Sequence, residues 1–69
     1  MMMLGAGTLI RILVNVDLIG GQKISPGDLG IIISNDVNLG EAFYTKYDYE
    51  VLINECVIFV FCDEIEEAT

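Results

Sequence analysis

The chain has 69 residues, which is enough for one domain and too few for two. Hydrophobic residues make up 54% of it and the mean hydropathy is +0.59, which excludes intrinsic disorder. Eleven acidic against three basic residues give a net charge of −8, which argues against a generally basic nucleic-acid binder. Histidine is absent, so histidine-based catalysis and His-containing zinc sites are excluded.

The N-terminus is apolar, but we expect it to be neither a membrane-spanning helix nor a signal peptide. The uncharged run ends at Arg11, well short of the about 20 residues that a spanning helix needs, and no basic residue opens it as in a signal peptide. We expect a cytoplasmic protein without membrane association, with residues 1–7 as a tail and 8–69 as one domain. Cys56 and Cys62 are expected to be free thiols, because six residues of strand separate them too far for a disulfide.

The first predicted element is a β-strand. Apolar side chains recur at every second position from Ile10 to Leu18, and β-branched residues dominate the run. Gly20-Gly21 end it. A turn is predicted at Ser25–Asp28, where Pro26 presets φ and Gly27 adopts positive φ without strain.

A second strand follows at Leu29 to Ser34, and a loop begins at Asn35. Three further strands are predicted at Tyr47 to Ile53, Cys56 to Phe61 and Glu64 to Glu67. Asn54-Glu55 is predicted to be a tight hairpin turn, since Asn tolerates the left-handed region. Five short strands joined by tight turns predict an all-β fold, a small five-stranded, strongly bent antiparallel barrel.

The segment CVIFVFC is apolar on both faces, which is unusual for a small antiparallel barrel. A domain of this size buries only about 60% of its unfolded surface, so the chain holds more apolar side chains than one copy can hide. One explanation is a subunit interface. The other is that the 36–47 loop covers that face within one subunit. The interface residues predicted in the first case are Cys56, Val57, Phe59, Phe61 and Ile65.

Two stretches carry a family resemblance: KISPGDLGIII (Lys23–Ile33) and YEVLINECVIFVFCDEIEE (Tyr49–Glu67). The first resembles the diverging turn and second strand of SH3-like barrels, and the second resembles the strands that close them. Together they look most like the small Sm/LSm-like (SH3-like barrel) proteins of marine cyanophages, a group of largely unknown function. The likeness covers about residues 8–68.

The resemblance implies a closed homo-oligomeric ring of five to seven subunits. Sm-type proteins pair the fourth strand of one subunit with the fifth of the next, and many bind RNA at the pore. Asp36 and Asn38 take the places of the Asp and Asn of the first Sm motif. Ile53-Asn54-Glu55 matches the Ile-Arg-Gly turn between strands four and five, keeping the Ile but neither the Arg nor the Gly. Nearly all of the N-terminal helix of Sm proteins is missing.

The leading functional hypothesis is RNA or single-stranded DNA binding by the ring, in phage RNA or DNA processing. Aromatic rings beside Lys46 stack on unpaired bases in this hypothesis, and loop asparagines bind base edges. The alternative reading of YTKY is a strand edge with snorkelling aromatics. The candidate residues are Asn35, Asp36, Asn38, Tyr44, Lys46, Tyr47 and Asn54.

A second hypothesis is a protein-interaction or structural module of a phage, whose acidic half binds a basic partner. No enzymatic activity is expected, because the chain has no activated nucleophile with a partner base and no phosphate-binding loop. We expect no cofactor. We also expect no metal, since the alternate acids of Asp63–Glu67 are typical of a solvated strand face.

Overall fold

The computed structural model describes residues 4–35, 37 and 47–68. In these ranges the chain forms seven strands and one short 3-10 helix. In chain order they are β1 (Leu9–Ile12), β2 (Val16–Asp17), β3 (Lys23–Ile24), β4 (Leu29–Ser34), β5 (Tyr49–Ile53), β6 (Cys56–Val60), the 3-10 helix (Cys62–Glu64) and β7 (Ile65–Glu67).

Five strands form one antiparallel sheet in the order β6-β5-β4-β1-β7, and β2 and β3 form a separate two-stranded ribbon. The predicted all-β character is confirmed. The expected closure into a barrel is not found in the described ranges, because β6 and β7 are the opposite margins of an open sheet. β7 has only three residues, and its recorded pairing is with β1.

The short connection from β6 to β7 requires the sheet to curl. Four strand spacings of about 4.8 Å would place these margins about 19 Å apart in a flat sheet. The chain between Val60 and Ile65 consists mainly of the 3-10 helix, which rises only about 2 Å per residue. The margins therefore lie nearer to each other than a flat sheet allows.

The core lies on the inner face of this curled sheet and is covered by the β2–β3 ribbon. Val14, Val16 and Leu18 pack against the core from the ribbon side. The predicted alternation from Ile10 to Leu18 is therefore correct. The single strand predicted there is wrong, because the chain leaves the sheet after Ile12 and pairs again as β2. The buried hydrophobic residues of the described ranges are Ile10, Ile12, Ile24, Ile32, Tyr49, Val51, Ile53, Ile58, Val60 and Ile65.

Both predicted tight turns are confirmed. Asn54 and Glu55 have φ of 50° and 63°, as a two-residue hairpin with positive φ at both positions requires. In the Ser25–Asp28 turn the Asp28 N–H donates to the Ser25 carbonyl at 3.1 Å, and the Ser25 N–H donates to Asp28 Oδ2 at 2.9 Å. Gly27 has φ of +99°, a conformation that other residues adopt only with strain.

Residues 4–7 are attached to the sheet, although the expected domain boundary assigns them to a tail. Leu4 packs against the core, and its N–H donates to the Tyr49 hydroxyl at 3.1 Å. The Gly7 N–H donates to the Ile32 carbonyl at 2.8 Å. The folded unit therefore begins no later than Leu4.

Candidate functional site

The outer face of the sheet carries a continuous apolar row. In the strand register Leu9 lies opposite Ile31, Ile31 opposite Leu52, and Leu52 opposite Val57. All four side chains point away from the core and are between 40% and 50% exposed. The row crosses four of the five strands, and we call it the outer row.

Further apolar side chains extend the outer row along the strands. Leu29 and Ile33 are exposed on β4, and Phe59 is exposed on β6. Of this surface, only the β6 part was predicted from the sequence. The signal for the rest is present in LGIII and YEVLI, where both alternating faces hold large apolar residues.

Few of the charged residues in the described part of the chain lie on this outer face. Arg11 Nη1 contacts Glu66 Oε1 at 2.8 Å, and both side chains are about half exposed. Glu50 alternates with the buried Val51, so its side chain is directed to the outer face beside Phe59. The exposed pair between Arg11 and Glu66 contributes at most about 1 kcal/mol to stability.

An aromatic cluster covers one end of β6. The Tyr47 ring stacks on Phe61 at a centroid distance of 4.8 Å and lies 5.8 Å from Phe59. The strand predicted from Tyr47 starts two residues later, because the chain bends at Asp48 and β5 starts only at Tyr49. Phe59 and Phe61 remain 37% and 36% exposed despite this cover.

The β6–β7 connection is tied to the start of β5. The Cys62 N–H donates to Asp48 Oδ2 at 2.7 Å, and the Phe61 N–H donates to Glu64 Oε1 at 2.8 Å. A hydrogen bond from the Cys62 thiol to Asp48 raises the pKa of that thiol above its ordinary value, with the negative charges of Asp48 and Asp63 adding to the effect. The thiol is therefore held in its protonated, less nucleophilic form.

The predicted interface residues divide into two groups. Val57, Phe59 and Phe61 are exposed, as an interface requires. Cys56 is half-buried and its thiol donates to Gln22 Oε1 at 2.8 Å, so it is held against the ribbon. Ile65 is 5% exposed and belongs to the core of the single chain, which leaves only its backbone at the surface. Both cysteines are free, as expected.

Both margins of the sheet carry backbone groups that have no partner strand within residues 4–35, 37 and 47–68. The pair Ile53–Cys56 flanks a two-residue turn and exchanges both hydrogen bonds, so the N–H groups of Val57 and Phe59 point away from β5. On β7 the Ala68 N–H donates to the Leu9 carbonyl at 3.0 Å, and the Leu13 N–H donates to the Glu64 carbonyl at 2.9 Å. By the same alternation, the N–H groups of Ile65 and Glu67 face the open edge.

The candidate nucleic-acid residues do not form one group in the described chain. Asn35 follows β4 at the end where Ser34 pairs with Glu50, and Tyr47 lies at the same end. Asn54 lies in the turn at the other end of β5. That turn joins β5 to β6, so the predicted match of Ile53-Asn54-Glu55 to the turn between the fourth and fifth sheet strands is wrong. The turn in that position is formed by Phe61 and the 3-10 helix.

Four of the candidate residues lie outside the described part of the chain: Asp36, Asn38, Tyr44 and Lys46. Within residues 4–35, 37 and 47–68, no cluster of three acidic or cysteine side chains has metal-binding geometry. The same ranges contain no helix with the length and apolarity needed to cross a membrane. A shallow hollow of about 160 Å³ lies between the ribbon and the Asn54 turn, lined by Leu18, Gln22, Lys23, Ile24 and Asn54.

Comparison with known proteins gives no match: no family model, no curated protein and no solved structure is similar enough to count as a relative of this chain.

Proposed function

We propose that this protein is a non-enzymatic, self-assembling β-protein whose subunits join edge to edge into a closed ring of five to seven copies. The observation that carries the proposal is the pair of open sheet margins, β6 and β7. β6 reads CVIFV and contains neither a charged residue nor a proline. An edge strand of this composition aggregates unless another strand covers it, and charge or proline is the usual protection.

Pairing β6 of one copy with β7 of the next gives the edge backbone groups of both strands hydrogen-bond partners. The contact is heterologous, because two different edges meet, and repeated heterologous contacts close into a ring when the rotation permits. The N–H groups of Val57 and Phe59 on one side and of Ile65 and Glu67 on the other become ladder donors. The resemblance to Sm-like barrels, in which the fourth and fifth strands pair between subunits, supports the same arrangement.

A proline at the open edge of β7 tests the ring. Glu67→Pro removes an N–H that faces the edge, and proline is tolerated there in a single chain because that N–H has no partner within the sheet. Glu67→Ala, the matched control, removes the same carboxylate and keeps the N–H. By light scattering, we expect the parent chain and Glu67→Ala at five to seven copies or a multiple, and Glu67→Pro at two copies or fewer. Equal masses for the two variants would exclude β7 from the interface.

As a second candidate function we propose that the ring binds single-stranded nucleic acid weakly. The observation that favours it is the position of Asn35 and Tyr47 at one end of the sheet, an end that a ring would repeat once per subunit. Asp48 and Asp63 at the same end oppose phosphate binding, so affinity depends on the multiplied cations of the assembly. A basic protein partner is the alternative occupant of this acidic end.

Salt dependence distinguishes these partners. We expect retention on single-stranded RNA or DNA to fall with salt, and Lys46→Gln to reduce the slope of log affinity against log salt by about one per contacting subunit. Lys23→Gln removes the same charge from the β2–β3 ribbon and is expected to leave the slope unchanged. Absence of salt-sensitive retention would rule out nucleic-acid binding.

A further inference from the structure

The outer row remains uncovered when subunits pair edge to edge, because such pairing uses backbone groups at the margins and not the face of the sheet. We propose that this face packs against the same face of a second copy in an isologous contact. The proposal does not require the ring, since it uses a different surface.

The arrangement of charge on the face favours a second copy over other occupants. The chain has a net charge of −8, yet among the residues that the structure describes the charges on the outer face are the ion-paired Arg11 and Glu66, together with Glu50. Other acids lie on the ribbon and in turns and ends, among them Asp17, Asp28, Glu55 and Asp63. Two copies that meet through this face keep most of their negative charge apart. A basic protein would find no acidic cluster among the described residues of this face.

The face is also complementary to itself. Ile31 lies at the centre of the outer face, with Leu9 on one neighbouring strand and Leu52 on the other. Arg11 lies on the neighbouring strand β1, opposite Leu29. Glu50 lies on the other neighbouring strand, β5, opposite Ser34. Arg11 and Glu50 are therefore at diagonally opposite corners of the outer face, with Ile31 between them. Consider a two-fold axis that passes over Ile31, parallel to the sheet and midway between Arg11 and Glu50. This axis brings Arg11 of each copy to Glu50 of the other.

This geometry explains the composition of the outer face. In an isologous contact residue i meets j and j meets i, so one basic and one acidic corner suffice for two ion pairs. The apolar side chains between the corners become the inner layer of two sheets packed about 10 Å apart. Such a layer accounts for large apolar residues on both faces of β4, which a single copy does not need.

A charged residue in the centre of the patch tests the contact. The test is made in the Glu67→Pro chain. There we expect Leu52→Glu to halve the mass measured by light scattering, from two copies (15.2 kDa, twice 7.6 kDa) to one. Ile19→Glu adds the same charge at a fully exposed isoleucine away from the sheet and is expected to leave the mass unchanged. Equal masses for Leu52→Glu and Ile19→Glu would overturn the proposal, whether or not the ring forms.

Glu50→Arg provides a second test that does not depend on the apolar centre. The change makes the net charge less negative, so general electrostatics predicts tighter self-association. The two-fold contact predicts the opposite, because the introduced guanidinium would face Arg11 of the second copy, and we expect the dissociation constant to rise at least about tenfold. Circular dichroism confirms that each variant keeps its β structure. An unchanged or smaller dissociation constant would contradict the contact.

Discussion

Ile32→Ala is expected to lower the free energy of unfolding by about 2–5 kcal/mol, the range for truncating a buried isoleucine. Ile32 is 1% exposed in the middle of β4, the central strand of the sheet, and lies among the inner residues of the neighbouring strands. A chain of this length has a stability of about 3–10 kcal/mol in total. The variant is therefore expected to be partly unfolded at room temperature, which urea titration followed by circular dichroism measures directly.

Ile19→Ala is the matched control for this prediction, because it removes the same atoms from a fully exposed position. We expect a change within about 0.5 kcal/mol, as for most surface substitutions. Both variants are compared at one protein concentration, since assembly adds concentration-dependent stability. A loss from Ile32→Ala no larger than that from Ile19→Ala would show that Ile32 does not belong to the core.

Local patterns in the sequence predicted the strands well because they report which face of a strand is buried. The alternation in Tyr49–Ile53 and the run Leu29–Ser34 both identified strands, and the turn residues Asn54-Glu55 identified the hairpin. The same alternation misled at Ile10–Leu18. Apolar residues at every second position satisfy a core equally well when the chain leaves one sheet and joins another, so the break after Ile12 has no signature in the pattern.

The candidate surfaces depended on information that no local pattern contains. Leu9, Ile31, Leu52 and Val57 are far apart in sequence and become one row only through the strand order and register. The start of β5 shows a second limit, since a single bend at Asp48 removes Tyr47 from the strand that the sequence predicts there. An excess of apolar residues was predictable from composition. Which strand carries the excess was predicted only for β6, where both faces are apolar over five consecutive residues, although LGIII in β4 carries the same signal.

Gly30→Ala is expected to destabilise the fold by about 1–3 kcal/mol, the range for overpacking a well-packed site. Gly30 lies on the inner face of β4, opposite Ile10. A Cβ atom there would come within 2.9 Å of the Leu52 carbonyl oxygen and of Val51 Cγ1, and within 3.1 Å of Ile53 Cβ. The carbonyl belongs to the backbone of β5, so relief of the contact requires β4 and β5 to move apart.

The reason for this close approach is the curl of the sheet, which the short β6–β7 connection demands. Glycine within a strand often marks a tight bend or a close approach of two backbones. Gly5→Ala is the control, because its Cβ would meet nothing within 4 Å and its φ lies outside the left-handed region. It is expected to be neutral or to stabilise slightly by restricting the unfolded chain. If thermal unfolding shows Gly30→Ala to be as stable as Gly5→Ala, then β4 and β5 do not approach as closely as the curled sheet requires.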